Sequence, residues 1–314
     1  MRSSLITSVV AAAVLTACSR SGDATADSTA VQGAQADSAR LVASPAGFTE
    51  PEAVRYDPDQ DVYFVSNWGT GDTEAKDNNG FISRMSPDGV VDNLRFIAGG
   101  ARAATLHSPR GMTIVGDTLW VVDVDAVRGF DRRNGAPLVT VDFSKFKLGF
   151  LNDIAASPEA LYVTDTGTDH IYRIARSAIT VALHDSALGG PNGITWDATR
   201  NQLVVVPYMR GSTISSWSAG KTALTQIGRS SDALTEIGKT AGVKYDGVEI
   251  LSGDRILVAS QADSSIHIFS DGTGRPVFKT GGAPADIAVD TKRNRVAVPF
   301  VARNLVEIWQ LPAP

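Results

Sequence analysis

The sequence predicts an all-β protein, a six-bladed β-propeller with four-stranded blades, on three observations. A phrase of short strands and turns recurs six times along the chain. Successive copies start about 40 to 58 residues apart, the spacing of a four-stranded propeller blade. The sixth copy stops after three strands, and an apolar segment ahead of the first copy is placed to supply the fourth.

The N-terminal segment is set aside before the fold. Met1-Arg2-Ser3-Ser4 carries one positive charge, and residues 5–17 are an apolar run too short to span a bilayer, so residues 1–17 have the pattern of a signal peptide. Leu15-Thr16-Ala17-Cys18 resembles the bacterial lipobox. It implies lipidation of Cys18 and an exported chain anchored to a bacterial membrane facing the periplasm, and Ser19 in place of an aspartate points to the outer membrane. Cys18 is the only cysteine, so no disulfide, thiolate metal site or cysteine nucleophile is left to the rest of the chain. Residues 18–40 are rich in Ser, Ala, Asp and Gly, lack aromatic residues and read as a flexible tether. Residues 41–314 are long enough for one large domain, which the repeats favour over two small ones. The whole chain holds 29 basic against 34 acidic side chains, a formal net charge of −5, with no basic stripe. That balance argues against nucleic acid as a partner. The lipid is the one membrane contact expected, and the chain is expected to be a monomer.

The copies open at Glu52-Ala53-Val54, Arg110-Gly111-Met112, Asn152-Asp153-Ile154, Asn192-Gly193-Ile194, Asp246-Gly247-Val248 and Asp286-Ile287-Ala288. Second strands at 62–66, 119–122, 161–164, 203–206, 256–259 and 296–299 are short, apolar and rich in β-branched residues, as strands buried between neighbouring sheets are. Third strands at 81–85, 170–174, 214–217, 265–269 and 305–309 alternate apolar and polar residues. A fourth follows in five copies, as at 136–141 and 274–279. A ring left open at the sixth copy would expose two sheet edges, so residues 41–44 are expected to close it by pairing with the last blade. Aromatic residues fall at blade spacing and read as core between blades.

The innermost strand of each propeller blade lines the axial channel. Glu52, Arg110, Asn152, Asn192, Asp246 and Asp286, all strand openers, therefore converge at one mouth of that channel although they are far apart in sequence. With these residues the chain resembles the senescence marker protein (regucalcin) and gluconolactonase family, with its relative diisopropyl fluorophosphatase, over roughly residues 47–311. The resemblance is carried by Glu52-Ala53-Val54 where the family usually has Glu-Gly-Pro, by Asn152-Asp153, by Asn192-Gly193-Ile194-Thr195-Trp196 and by Asp246-Gly247. It implies a divalent cation, usually calcium, held on the axis by Glu52, Asn152, Asn192 and Asp246. Two carboxylates and two amide carbonyls also make a hard, all-oxygen set that suits calcium or another divalent cation. The alternative is that Asn192-Gly193 and Asp246-Gly247 are turn residues that open a strand.

The resemblance implies a calcium-dependent hydrolase of small lactones or esters, in which the cation polarises a carbonyl and a carboxylate acts as base or nucleophile. Asp246 and, secondarily, Asp153 are the candidate carboxylates. Arg110 and Asp286 are candidates for contacting a small-molecule ligand in the channel; either alternatively forms an ion pair with a neighbouring channel group. Two departures stand out. Phe150 lies where family lactonases often place an arginine, two residues before the Asn-Asp pair, and Glu-Gly-Pro has become Glu-Ala-Val. They motivate the alternative of a non-catalytic, calcium-stabilised propeller that binds a ligand or protein partner at the cell surface.

Three further signals call for a reading. Residues 233–240 meet a permissive form of the phosphate-loop pattern but lack its strand-to-helix context, and are expected as a short helix between the fourth and fifth blades, capped by Ser231 or Asp232 and stopped at Gly238. The acidic insertion from Gly71 to Gly80 is expected either to be simply solvated or to overhang the channel mouth. His107, His170, His184 and His267 open no inner strand, and no Gly-x-Ser-x-Gly elbow is present.

Overall fold

A computed structural model describes residues 38–217, 234–239, 244–251, 255–270 and 272–313. The segment expected as a signal peptide, Cys18, the segment expected as a tether through residue 37, Ser231 and Asp232 lie outside the described residues.

The chain enters the fold on β1 (Arg40–Ala43) and then builds antiparallel blades of four strands, the fourth and fifth joined into one sheet by a parallel pairing of Lys239 with Thr273. The first blade is β2 (Pro51–Asp57), β3 (Val62–Asn67), β4 (Phe81–Met85) and β5 (Val91–Ala98). The second is β6 (Met112–Val115), β7 (Thr118–Val122), β8 (Ala126–Asp131) and β9 (Pro137–Asp142). The third is β10 (Leu151–Ala156), β11 (Leu161–Asp165), β12 (His170–Ala175) and β13 (Ala178–His184). The fourth is β14 (Pro191–Asp197), β15 (Gln202–Pro207), β16 (Thr213–Trp217) and β17 (Thr235–Lys239). The fifth is β18 (Tyr245–Ile250), β19 (Ile256–Ser260), β20 (Ser265–Ser270) and β21 (Thr273–Lys279), and the sixth begins with β22 (Ala288–Asp290), β23 (Arg295–Phe300) and β24 (Leu305–Gln310). These are the six blades of a β-propeller, with spatial order in each following chain order.

The sixth blade is completed by β1, as expected. Arg40 pairs with Gln310, Leu41 with Trp309 and Ala43 with Ile308, and the Val306 N–H donates to Pro45 O at 3.0 Å. Val42 and Ala43 pack on the core between the last and first blades. The edge of the ring is thereby closed by side-chain burial as well as by the ladder.

Burial falls from the axis outward. β11 and β19 are buried at every residue and β15 and β23 at all but the first, whereas β5, β9, β13 and β21 are largely exposed. This is why the second strands read as continuous apolar runs and the outer ones do not. The cores lie between blades: Phe64 and Phe96 of the first blade pack with Met112, Val121 and Phe130 of the second, and Tyr162 of the third meets Trp217 of the fourth edge-on at 5.7 Å.

One expectation is corrected. Residues 235–239 are a strand, β17, and not a helix: Thr213 pairs with Lys239 and Ser216 with Thr235. The outer edge of β16 offers a full row of backbone donors and acceptors, and pairing them outweighs a weak capping pattern. The phosphate-loop pattern therefore falls on an outer strand. β8, which has no counterpart among the expected third strands, is the other addition.

Far from the openers, the first inner hairpins share a turn. Asp57, Asp197 and Asp290 each accept the N–H groups two and three residues on, at 2.9 to 3.1 Å. The residue four on, Asp61, Asn201 or Asn294, takes a left-handed φ of 53 to 56°. Arg132 reaches Asp57 at 2.7 Å and Arg293 reaches Asp61 at 2.6 Å, tying the second and sixth blades to the first.

Removal of residues 41–46 is expected to lower the melting temperature by roughly 10 °C, since losing a packed edge strand costs a few kcal/mol and each is worth about 2–4 °C in a domain of this size. Calorimetric melting of the truncated chain checks this; an unchanged melt would mean that β1 does not close the ring.

Candidate functional site

All six inner strands share one irregularity at their opening residues. Pro51 pairs with Asn67 and Val54 with Val65, so three steps along β2 match two along β3. The same offset separates Leu151–Asp165 from Ile154–Val163, Pro191–Pro207 from Ile194–Val205 and Tyr245–Ser260 from Val248–Val258. Each is a β-bulge, placed on Glu52-Ala53, Asn152-Asp153, Asn192-Gly193 and Asp246-Gly247. In the second blade the Arg110 N–H donates to Val122 O at 2.8 Å while Val122 N–H donates to Gly111 O at 3.0 Å, so two residues again face one. In the sixth, Ala285 N–H donates to Pro299 O at 3.0 Å, three residues before the Ala288–Ala297 pair.

The bulge frees backbone groups from the blade's own ladder and turns them to the next blade. Asp286 N–H donates to Glu52 O (2.9 Å), Val54 N–H to Asp286 O (3.1 Å) and Gly111 N–H to Asn152 O (3.0 Å). Adjacent inner strands come so close that a Cβ on Gly193 would overlap Asp246 O, and one on Gly247 would overlap the Ile287 nitrogen. At Gly193 and Gly247 glycine is thus a steric requirement of this close approach, beyond any turn preference.

The openers' side chains end in an unusual chemical state. Glu52, Asn152, Asn192, Asp246 and Asp286 are 2 to 5% exposed, and each keeps one buried oxygen without a hydrogen-bond partner: Glu52 Oε2, Asn152 Oδ1, Asn192 Oδ1, Asp246 Oδ1 and Asp286 Oδ2. Asn152 Nδ2 donates to Thr166 Oγ1 at 3.1 Å, which orients its amide. Asp246 Oδ2 accepts from Gln261 Nε2 at 2.6 Å, and the Asn192 amide lies within hydrogen-bonding reach of the same carboxyl. A buried polar atom without a partner costs about 1–3 kcal/mol. Unpartnered oxygens of carboxylate and amide type are the kind of donor that a hard cation takes. Among the described residues no three His, Cys, Asp or Glu side chains are grouped as a metal site; the candidate set has two carboxylates, with amide oxygens for the rest.

Electrostatics join these residues across the blades. Burial, then the charges of Asp246 and Asp153, push Glu52 well above the usual carboxylate range, while Arg110 draws it down. Burial and the Asp153 charge raise Asp246 to about 7. Burial raises Asp153 to about 6 against the pull of Arg55, and burial and Asp153 raise Asp286. Asp153 has both oxygens engaged, Oδ1 by Ile154 N–H at 2.6 Å and Oδ2 by Ile194 N–H at 2.8 Å, and so ties the third blade to the fourth. Asp246 alone of the two candidate carboxylates retains an oxygen free for proton transfer.

Arg110 is fully buried. Its guanidinium stacks on Phe150 at 3.5 Å, donates from Nη1 to Leu151 O at 2.5 Å and pairs through Nη2 with Glu74 of the 71–80 insertion. The insertion therefore overhangs the mouth, and Arg110 pairs with it while its charge acts on Glu52.

Sequence reasoning missed two groups. Gln261, in the turn between β19 and β20, holds Asp246 and accepts from the Tyr208 hydroxyl at 2.9 Å; no repeat signal reaches it. Arg55 and Glu249 form an ion pair one level deeper in the channel, with Arg55 Nε donating to Met112 O at 2.6 Å. Both lie three residues after an opener, Glu52 and Asp246, and that shared offset was the available signal.

The raised carboxylates give a pH test. In chelator, the unfolded chain ionises Asp246 and Asp153 near 4, whereas the folded chain keeps their protons until about 7 and about 6. The stability these protons allow is full below pH 4 and is lost as pH rises to about 7. The melting temperature of the metal-free protein is expected to fall across that window, and Asp246→Asn to flatten its upper part; a wild-type curve flat from pH 4 to 7 would contradict the assigned shifts.

No family model matches the chain, and no curated protein does. Solved structures do. A gluconolactonase from Xanthomonas campestris superposes with a TM-score of 0.65 at 15% identity, over 87% of this chain and 89% of that one. A streptogramin B lyase gives 0.60 at 13% identity, over 87% and 98%. A virginiamycin B lyase from Staphylococcus aureus gives 0.60 at 14%, over 87% and 99%. At these identities the likeness is one of fold, that of a β-propeller, and the six blades are this chain's own.

Proposed function

We infer that the axial cluster binds a divalent cation, calcium by its ligand chemistry, and that the protein hydrolyses small lactones or esters. The observation that carries this reading is the set of four buried, unpartnered oxygens on Glu52, Asn152, Asn192 and Asp246. Hard oxygens of mixed carboxylate and amide type suit calcium better than zinc, which favours histidine or thiolate. A gluconolactonase among the structures of like fold agrees with it.

When bound, the cation supplies the electrophile that polarises an ester or lactone carbonyl. The chain supplies the proton transfer. Asp246, oriented by Gln261 through Oδ2, is the carboxylate placed beside the cation to exchange a proton with water. Asn152 and Asn192 present carbonyl oxygens because their amide nitrogens face Thr166 and Asp246. Asp153 positions the inner strands and takes no proton in this scheme. Asp286, with its own free oxygen at the same mouth, is a candidate acceptor for ligand hydroxyls.

Purified propeller incubated with a panel of neutral lactones and aryl esters is expected to show turnover that chelator abolishes and calcium restores. Asp246→Asn is expected to lower kcat by about 100-fold or more. Loss of thermal stability on chelation without turnover on any panel member would instead assign the cation a structural role in a binding propeller.

A further inference from the structure

We propose that Arg110 is the recognition point for a carboxylate on the ligand, and that Glu74 of the 71–80 insertion occupies it as an internal substitute when no ligand is present. This deepens the lactonase reading by adding the class of substrate, one that carries a carboxylate beside the hydrolysable group.

The state of the Arg110 fork carries the argument. Its Nη1 edge is fixed by Leu151 O, and its face by the Phe150 ring. On the other edge, Nη2 is shared between Thr73 O at 3.0 Å and Glu74 Oε1, while Nε is buried without a partner. The Nε and Nη2 donors point the same way, and this is the edge on which arginine takes a carboxylate through two parallel hydrogen bonds. Glu74 makes only half of that contact. A small carboxylate approaching from the channel can take both donors and leave none orphaned. Arg110 lies close enough to Glu52 for their charges to act on one another, so a carboxylate seated there would sit beside the proposed cation.

The insertion is built to exchange. Its end is anchored: Asn78 N–H donates to His107 Nδ1 at 3.1 Å, Asn78 Oδ1 accepts from Leu106 N–H at 2.8 Å, and Asn79 Nδ2 donates to Thr70 O at 2.7 Å. Its start bends at Gly69 and Gly71, with φ of +89° and +112°. Between these points Glu74 has a side chain 48% exposed, against 0% for Arg110. A half-solvated carboxylate gains little from an ion pair that it can replace with water, so it is the partner that leaves. Lys76, paired with Asp125 of the second blade at 2.5 Å, keeps the insertion over the mouth when Glu74 moves.

Titration calorimetry on the calcium-loaded protein, with D-gluconate and its uncharged analogue sorbitol as probes, tests this. A ligand that must displace Glu74 binds more weakly by the fraction of molecules in which Arg110 is free. Glu74→Gln keeps a carbonyl acceptor for Arg110 while removing the competing charge, and is expected to tighten gluconate about tenfold with sorbitol unchanged. Arg110→Lys is expected to abolish the preference for gluconate over sorbitol, with circular-dichroism melting to confirm that it folds. Equal gluconate affinity in wild type and Glu74→Gln, equal tightening of both probes, or no gluconate binding in either protein would overturn the proposal. The lactonase reading is judged separately, by chelator-sensitive turnover of neutral lactones, which does not call on Arg110.

Discussion

Glu52, Asp246 and Asp286 are carboxyl groups withdrawn almost wholly from water within one channel mouth, each with an oxygen that no protein donor reaches. Burial of this kind raises the energy of every ionised form, and the charges raise one another further. A protein that tolerates it either holds protons there or brings a cation. The shifts to about 6 and about 7 on Asp153 and Asp246 are the first response, and the oxygen set around them fits the second. The rest of the structure serves to keep these groups where relaxation would otherwise move them apart.

Two devices hold them. The bulge repeated in all six blades releases the opener from its own sheet, and its freed backbone groups bond to the next inner strand. The ring is then fixed circumferentially as well as radially. Asp153 extends the same stitch with a side chain, accepting Ile194 N–H across the blade boundary. Closure by β1 makes the ring complete, so no blade can slide outward to relieve the repulsion on the axis. Arg55 lies one level deeper, paired with Glu249, and its charge draws Asp153 and Asp286 down without neutralising the mouth itself.

Arg110 shows how the site balances charge at its rim. The one cationic opener is stacked on Phe150, the residue standing where an arginine was looked for in sequence, so a guanidinium reaches this region from the neighbouring blade. Its partner comes from an insertion between β3 and β4, and that connection lies at the mouth because the second strand of a blade returns to the end where the first began. The placement follows from topology alone.

Repeat spacing and strand composition were enough to count the blades, locate the openers and close the ring with residues 41–44, because a buried strand leaves a β-branched apolar run and a missing strand leaves a gap at a fixed period. Asn192-Gly193 and Asp246-Gly247 were legible for the same reason: a polar residue recurs at the same step of each repeat, and glycine follows it in three of the six copies. The strand at 235–239 was not, since its identity rests on the open edge of β16 and hardly on its own residues. Nor were the roles of Asp153, Gln261 and Glu74, which are decided by contacts between segments 11 to 41 residues apart in the chain. The amino-acid sequence by itself determined which oxygens and which blades exist. Only the tertiary structure decided which of those oxygens are left without partners, because a hydrogen bond is satisfied or orphaned by distance in space, and sequence order carries no measure of that.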